Sequence, residues 1–136
     1  MTHILKPLRF AGYAALFGKR DAGLDVIRPG AFARALSDRT APFPLLWQHR
    51  QDLRIGWVEK IAEDPRGLRV LAHIDNPDGG AAASLKRGSV TGLSFGYRVR
   101  AARGDGIGRE LTDLLLIEVS LVTHPMQTGA RVHLIS

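Results

Sequence analysis

The sequence predicts an α+β chain that is mainly β: an antiparallel, barrel-like sheet of about six to seven strands with two or three short helices, because closure removes vulnerable sheet edges. Three observations predict it. From Leu93 the odd positions Leu93, Phe95, Tyr97 and Val99 are apolar while Ser94, Gly96, Arg98 and Arg100 are small or basic. That is the period-two pattern of a half-buried strand. Other apolar or β-rich runs recur along the chain between turns such as Asp64-Pro65-Arg66-Gly67. Helical signals are confined to short stretches.

In chain order, residues 8–17 read as a first strand, with Gly12 marking a bulge or bend and Gly18 closing it. A short helix follows, with Pro29 suited to its start and Phe32, Ala35 and Leu36 spaced as one buried stripe. Residues 42–49 put Phe43, Leu45, Trp47 and His49 on one parity, which leaves His49 at a strand exit. Residues 55–63 and 68–74 form a hairpin across the Asp64–Gly67 turn. Residues 81–87 are good helix formers stopped by Gly88. This helix delivers the chain to the serine strand. Residues 103–108 are a flexible turn, and residues 110–122 contain a run from Leu114 to Val122 dense enough to be buried on both faces. Residues 130–135 make a last short apolar element.

The 136 residues fit a single domain over 1–136 with no linker or repeat. With no cysteine, the chain has no disulfide, no thiolate metal site and no cysteine nucleophile. No cofactor or metal is called for. The N-terminal stretch Met1 to Pro7 lacks a long apolar segment and no run approaches a membrane span, so a chain that is neither exported nor membrane-bound is expected. The formal charge is +6, but the Lys and Arg residues are scattered among acidic ones. A nucleic-acid footprint would be clustered, so such a partner is disfavoured.

Three residues carry the chemistry. Gly92-Leu93-Ser94-Phe95-Gly96 matches G-x-S-x-G, yet the alternation continues through Arg100 where a nucleophile elbow would turn into a helix. Ser94 is therefore a candidate nucleophile on a different scaffold, and Gly96 a place where another backbone, such as a peptide substrate, comes close. His49 reads either as a general base at the rim of a core or as an exposed loop histidine. Glu118 lies among leucines and valines and needs a specific partner: an arginine such as Arg98 or Arg9, or a histidine that it orients.

Four blocks extend this reading: Gly12-Tyr13-Ala14-Ala15-Leu16-Phe17; Asp25-Val26-Ile27-Arg28-Pro29-Gly30-Ala31-Phe32; Leu45-Leu46-Trp47-Gln48-His49; and Thr91-Gly92-Leu93-Ser94-Phe95-Gly96-Tyr97 with Glu118-Val119-Ser120-Leu121-Val122-Thr123. In order and spacing they resemble the prohead protease family of tailed bacteriophages, capsid-maturation serine peptidases similar in fold to herpesvirus assemblins. The resemblance implies Ser94 as nucleophile, His49 as base and Glu118 as the third member. His124 competes for that last role, because the herpesvirus enzymes use a second histidine. His3, His73 and His133 match nothing in the family pattern and read as structural or surface residues. The chain departs from the pattern at Pro125-Met126-Gln127-Thr128, where family members commonly have Pro-Ala-Asn or similar, and by ending soon afterwards, at Ser136, without the longer tail many of them carry.

What the resemblance implies is a serine endopeptidase that cleaves the major capsid protein or scaffold, with itself as a further candidate substrate and a homodimer as a candidate state. It would work in the bacterial host cytoplasm, inside the assembling prohead. Two alternatives stand beside this: a catalytically silent prohead component of the same fold, and a small β-barrel module for nucleic acid. For oxyanion donors the default is backbone amides, with Arg98 on the Ser94 face as a helper.

Overall fold

A computed structural model describes residues 6–136. His3 and most of the N-terminal stretch read above lie outside these residues. The elements are β1 (Leu8–Leu16), β2 (Asp25–Ile27), α1 (Ala33–Asp38), β3 (Pro44–Trp47), β4 (Arg50–Glu63), β5 (Gly67–Ile74), α2 (Gly80–Lys86), β6 (Gly92–Gly104), β7 (Arg109–Val122) and β8 (Val132–Ile135).

Local chemistry explains most boundaries. Asp64 accepts the backbone N–H groups of Arg66 (2.8 Å) and Gly67 (3.0 Å), which builds the β4–β5 turn. Asp105 does the same for Ile107 and Gly108 between β6 and β7. Gly88, with φ of 77°, stops α2. Pro29 does not start α1: the helix begins at Ala33, because Gly30 at φ 92° takes a left-handed turn that no helix can run through.

The strands order as β2-β7-β3-β4-β5-β1-β8, with β6 along the other side of β7. Two features of the expected antiparallel barrel are thereby corrected. The sheet is mixed, since β7 runs parallel to both β2 and β3 and antiparallel to β6. Parallel neighbours need a long connection, and β3 and β7 are separated by the whole middle of the chain. Nor does the ladder close. Between the β8 end and β6 there is one isolated bridge, Gly92 to Arg131, flanked by hydrogen bonds from Leu93 N to Ala130 O and from Val132 N to Thr91 O. The extra strand, β2, spans three residues, too few to carry a period-two signal.

One core lies inside this curved sheet and under α1, built on Phe10, Phe32, Leu45, Leu93, Leu114, Val119 and Leu121. On β6 the inward alternation holds through Leu93, Phe95 and Tyr97 and then ends, since Val99 is exposed. Phe32 is fully buried, and its ring meets that of Phe95 edge-on at 5.1 Å, directly behind the serine strand. Truncating Phe32 to Ala should lower stability by about 3–5 kcal/mol, read as a shift of the urea midpoint with little change in slope.

Candidate active site

Ser94 sits on β6 with its side chain on the face opposite Leu93 and Phe95. It is nearly covered, at 3% exposure, and pairs in register with Ser120 on β7. Ser94, Ser120 and the next paired positions, Gly96 and Glu118, therefore share one face.

A bulge in β7 puts them there. Gly96 pairs with Glu118 but Tyr97 pairs with Leu116, so Ile117 is an extra residue. The parity of β7 changes across it. Leu114 and Leu116 point into the core before the bulge, and Val119 and Leu121 point in after it. Glu118, which has the parity of Leu114 and Leu116 in sequence, is thus turned out onto the Ser94 face. The expectation that this run is buried on both faces holds from Glu118 to Val122, while Ile117 itself is 41% exposed.

His49 is delivered by a hairpin turn. Trp47 pairs with Arg50, which leaves Gln48 and His49 as a two-residue loop with φ of 53° and 60°. Two positive φ values mark the primed turns that match strand twist, normally filled by Asn and Gly. Histidine tolerates that conformation better than glutamine does, and side-chain bonds hold the turn in place. The Gln48 amide nitrogen donates to Thr123 Oγ1 (2.7 Å) while Thr123 N donates to Gln48 Oε1 (3.0 Å). Gln48 N also donates to Leu121 O (2.9 Å), and His49 N donates to Ser120 Oγ (3.2 Å). The turn is clamped to the end of β7.

His49 Nδ1 then lies 2.5 Å from Glu118 Oε1, and Ser120 Oγ donates to Glu118 Oε2 at 2.6 Å. Both carboxylate oxygens are occupied, which offsets the cost of burying this group at 7% exposure. A carboxylate accepts, so it favours the tautomer with the proton on Nδ1 and leaves Nε2 as the free acceptor. The His49 side chain is 40% exposed, open to a substrate.

The structure therefore brings His49 and Glu118 into contact and sets Ser94 on the same face beside them. Neither Arg98 nor Arg9 is the partner of Glu118: Arg9 bonds Glu59, and Arg98 is exposed further along β6. His124 is exposed after the end of β7. Ser120, Gln48 and Thr123 were not singled out from sequence as working residues. The available signal for Ser120 was its spacing, two residues from Glu118 and hence on the same strand face.

Gly96 also acts otherwise than expected. A Cβ built there would lie 2.4 Å from Glu118 Oε1 and 3.0 Å from its Cδ. The missing side chain makes room for the carboxylate rather than for a second backbone. Gly96→Ala should displace the carboxylate and lower turnover of any His49-dependent reaction by about a hundredfold, with a smaller effect on KM.

Residues 5–136 match the family described as caudovirus prohead serine protease. The prohead protease of Enterobacteria phage HK97 is 34% identical across 89% of this chain and 57% of its own length. This chain therefore spans little more than half of that relative. Among solved structures, the varicella-zoster virus protease superposes with a TM-score of 0.62 at 23% identity, covering 94% of this chain and 64% of that one. The Kaposi's sarcoma-associated herpesvirus protease, in complex with a hexapeptide phosphonate inhibitor, gives 0.64 at 16% identity, covering 96% and 65%. At these identities the two herpesvirus structures establish a shared fold.

Proposed function

The chain belongs to the caudovirus prohead serine protease family, and from that premise we propose that it is a serine endopeptidase of capsid maturation, working as one domain through Ser94, His49 and Glu118. The observation that carries the residue assignment is the His49 to Glu118 contact of 2.5 Å on the face that bears Ser94. His49 Nε2 takes the Ser94 proton as Oγ attacks a scissile carbonyl, then returns it to the leaving amine. Water repeats the sequence on the acyl-enzyme. Glu118 keeps the proton on Nδ1 and stabilises the imidazolium that forms, while Ser120 and the clamped turn keep both partners aligned.

The substrate in this proposal is the major capsid protein or scaffold, met inside the assembling prohead in the bacterial host. Self-cleavage and a homodimer belong to the same proposal. The dimer is suggested by the Kaposi's sarcoma-associated herpesvirus protease, crystallised with a dimer disruptor. Among the described residues no helix is long and apolar enough to cross a membrane.

Co-expression with the major capsid protein of the same genome, with the capsid protein's N-terminus read by intact mass, tests this reading. Truncation that disappears in Ser94→Ala and in His49→Ala supports it. Full-length capsid protein in proheads that contain this chain would favour the silent component instead.

A further inference from the structure

A second built feature lies on the same outer surface, around the corner from Ser94. Tyr13, Arg66, Arg69, Gly129, Arg131 and His133 line a hollow of about 380 Å³. Tyr13 on β1 pairs in register with Arg69 on β5, its ring stacks on His133 at 5.8 Å, and the Arg66 guanidinium lies 5.1 Å above it. Arg131 is anchored by two of its donors, Nε to Thr128 O (2.9 Å) and Nη1 to Thr91 Oγ1 (3.1 Å), which leaves the rest of its fork free.

The charge there is unbalanced. None of Arg66, Arg69 and Arg131 forms an ion pair among the described residues, although nine other histidines and arginines do. The adjacent carboxylate, Asp64, is taken by the Tyr13 hydroxyl and by the backbone N–H groups of Arg66 and Gly67. Three guanidiniums held around one hollow, with one carboxylate already saturated, make a site for an anion, and a carboxylate suits the bidentate fork.

The surroundings select among anions. A neighbouring hollow of about 440 Å³ shares Arg69 and is lined by Lys60 and by the apolar Ala11, Leu71 and Leu134, the last of them 61% exposed. An acidic side chain next to an apolar one fits this pair of hollows. Nucleic acid would instead need a continuous basic track along its backbone, whereas the second hollow sets Arg69 and Lys60 beside an apolar strip.

The hollow connects to the serine. Arg131 bridges Gly92, which is two residues before Ser94 and of the same parity, so Arg131 and Ser94 share a face. From Ser94, two residues along β6 and one to three strands across give a path of about 8–16 Å, the reach of about three to five extended residues. We propose that the Arg66, Arg69 and Arg131 hollow is a subsite for an acidic side chain of the polypeptide substrate, about three to five residues from the bond that Ser94 attacks. This rests on the protease reading above.

Two measurements test it separately from that reading. The first uses the Ser94→Ala chain and fluorescein-labelled peptides of Glu and Leu, read by anisotropy against Gln counterparts. The Glu peptide should bind at least about tenfold more tightly than the Gln one, and Arg66→Gln with Arg69→Gln should remove that margin while the melting curve is unchanged. Equal binding of the two peptides, no loss in the double variant, or tighter binding of a single-stranded oligonucleotide would overturn the proposal. The second profiles the bonds cut in a peptide library by the chain with Ser94 intact. Enrichment of Asp and Glu at one position near the cut, lost in the double variant, supports the subsite. Cutting without that enrichment removes the subsite and leaves the protease standing. Absence of all cutting beside Arg-dependent binding removes the protease and leaves a carboxylate site.

Discussion

Replacing Ser94 with Ala should reduce capsid-protein cleavage on the order of a millionfold while leaving the fold intact. The expectation has two parts. Chemically, the variant lacks the oxygen that attacks the carbonyl in the proposed mechanism. Ser120 is the nearest alternative, but its Oγ donates to Glu118 and accepts from His49 N, and it is fully buried. Structurally, the Ser94 hydroxyl makes no hydrogen bond among the described residues, so its removal strands no partner. Thermal melting within a few degrees of the parent, beside lost cleavage, is the expected pair of results. Cleavage that persists at the parental rate would reject Ser94 as nucleophile.

Glu118→Gln should cost about ten-thousandfold in kcat at nearly unchanged KM. Gln keeps the shape of Glu, so the crowded space above Gly96 still accommodates it. Ser120 Oγ needs an acceptor, and the amide oxygen supplies one, which turns the NH2 group toward His49 Nδ1. That nitrogen must then accept, the proton moves to Nε2, and in the proposed mechanism Nε2 is then a donor that cannot take the Ser94 proton. His124→Ala supplies the contrast. His124 is exposed beyond the end of β7, and its removal should leave kcat near the parental value. A large loss at His124 with a small one at Glu118 would exchange their roles.

Much of this site was legible in the sequence. Period-two alternation placed Ser94 on the face opposite Leu93 and Phe95, and parity with Phe43, Leu45 and Trp47 placed His49 at a strand exit. The solvation cost of a carboxylate among leucines and valines demanded a partner for Glu118. These are local arguments, each spanning a few residues. The partner itself was open between arginine and histidine, because which residue meets Glu118 depends on which strand lies beside β7.

Long-range geometry decided that, and it reversed some local expectations. β3 docks parallel to β7 with Leu46 opposite Ser120, and this register carries the Gln48-His49 turn to Glu118. Nothing in the pattern of either strand specifies a parallel neighbour some seventy residues away in a chain otherwise rich in hairpins. The bulge at Ile117 is equally silent in sequence. Read by parity, Glu118 belongs with Leu114 and Leu116 on the core side; one extra residue opposite the Gly96-Tyr97 step turns it to the face that bears Ser94. The sequence by itself determined the residue types and the strand faces, since those follow from side-chain period and transfer free energy. Only the tertiary structure decided that His49, Glu118 and Ser120 meet beside Ser94, because strand register and bulges are set by the packing of the whole core.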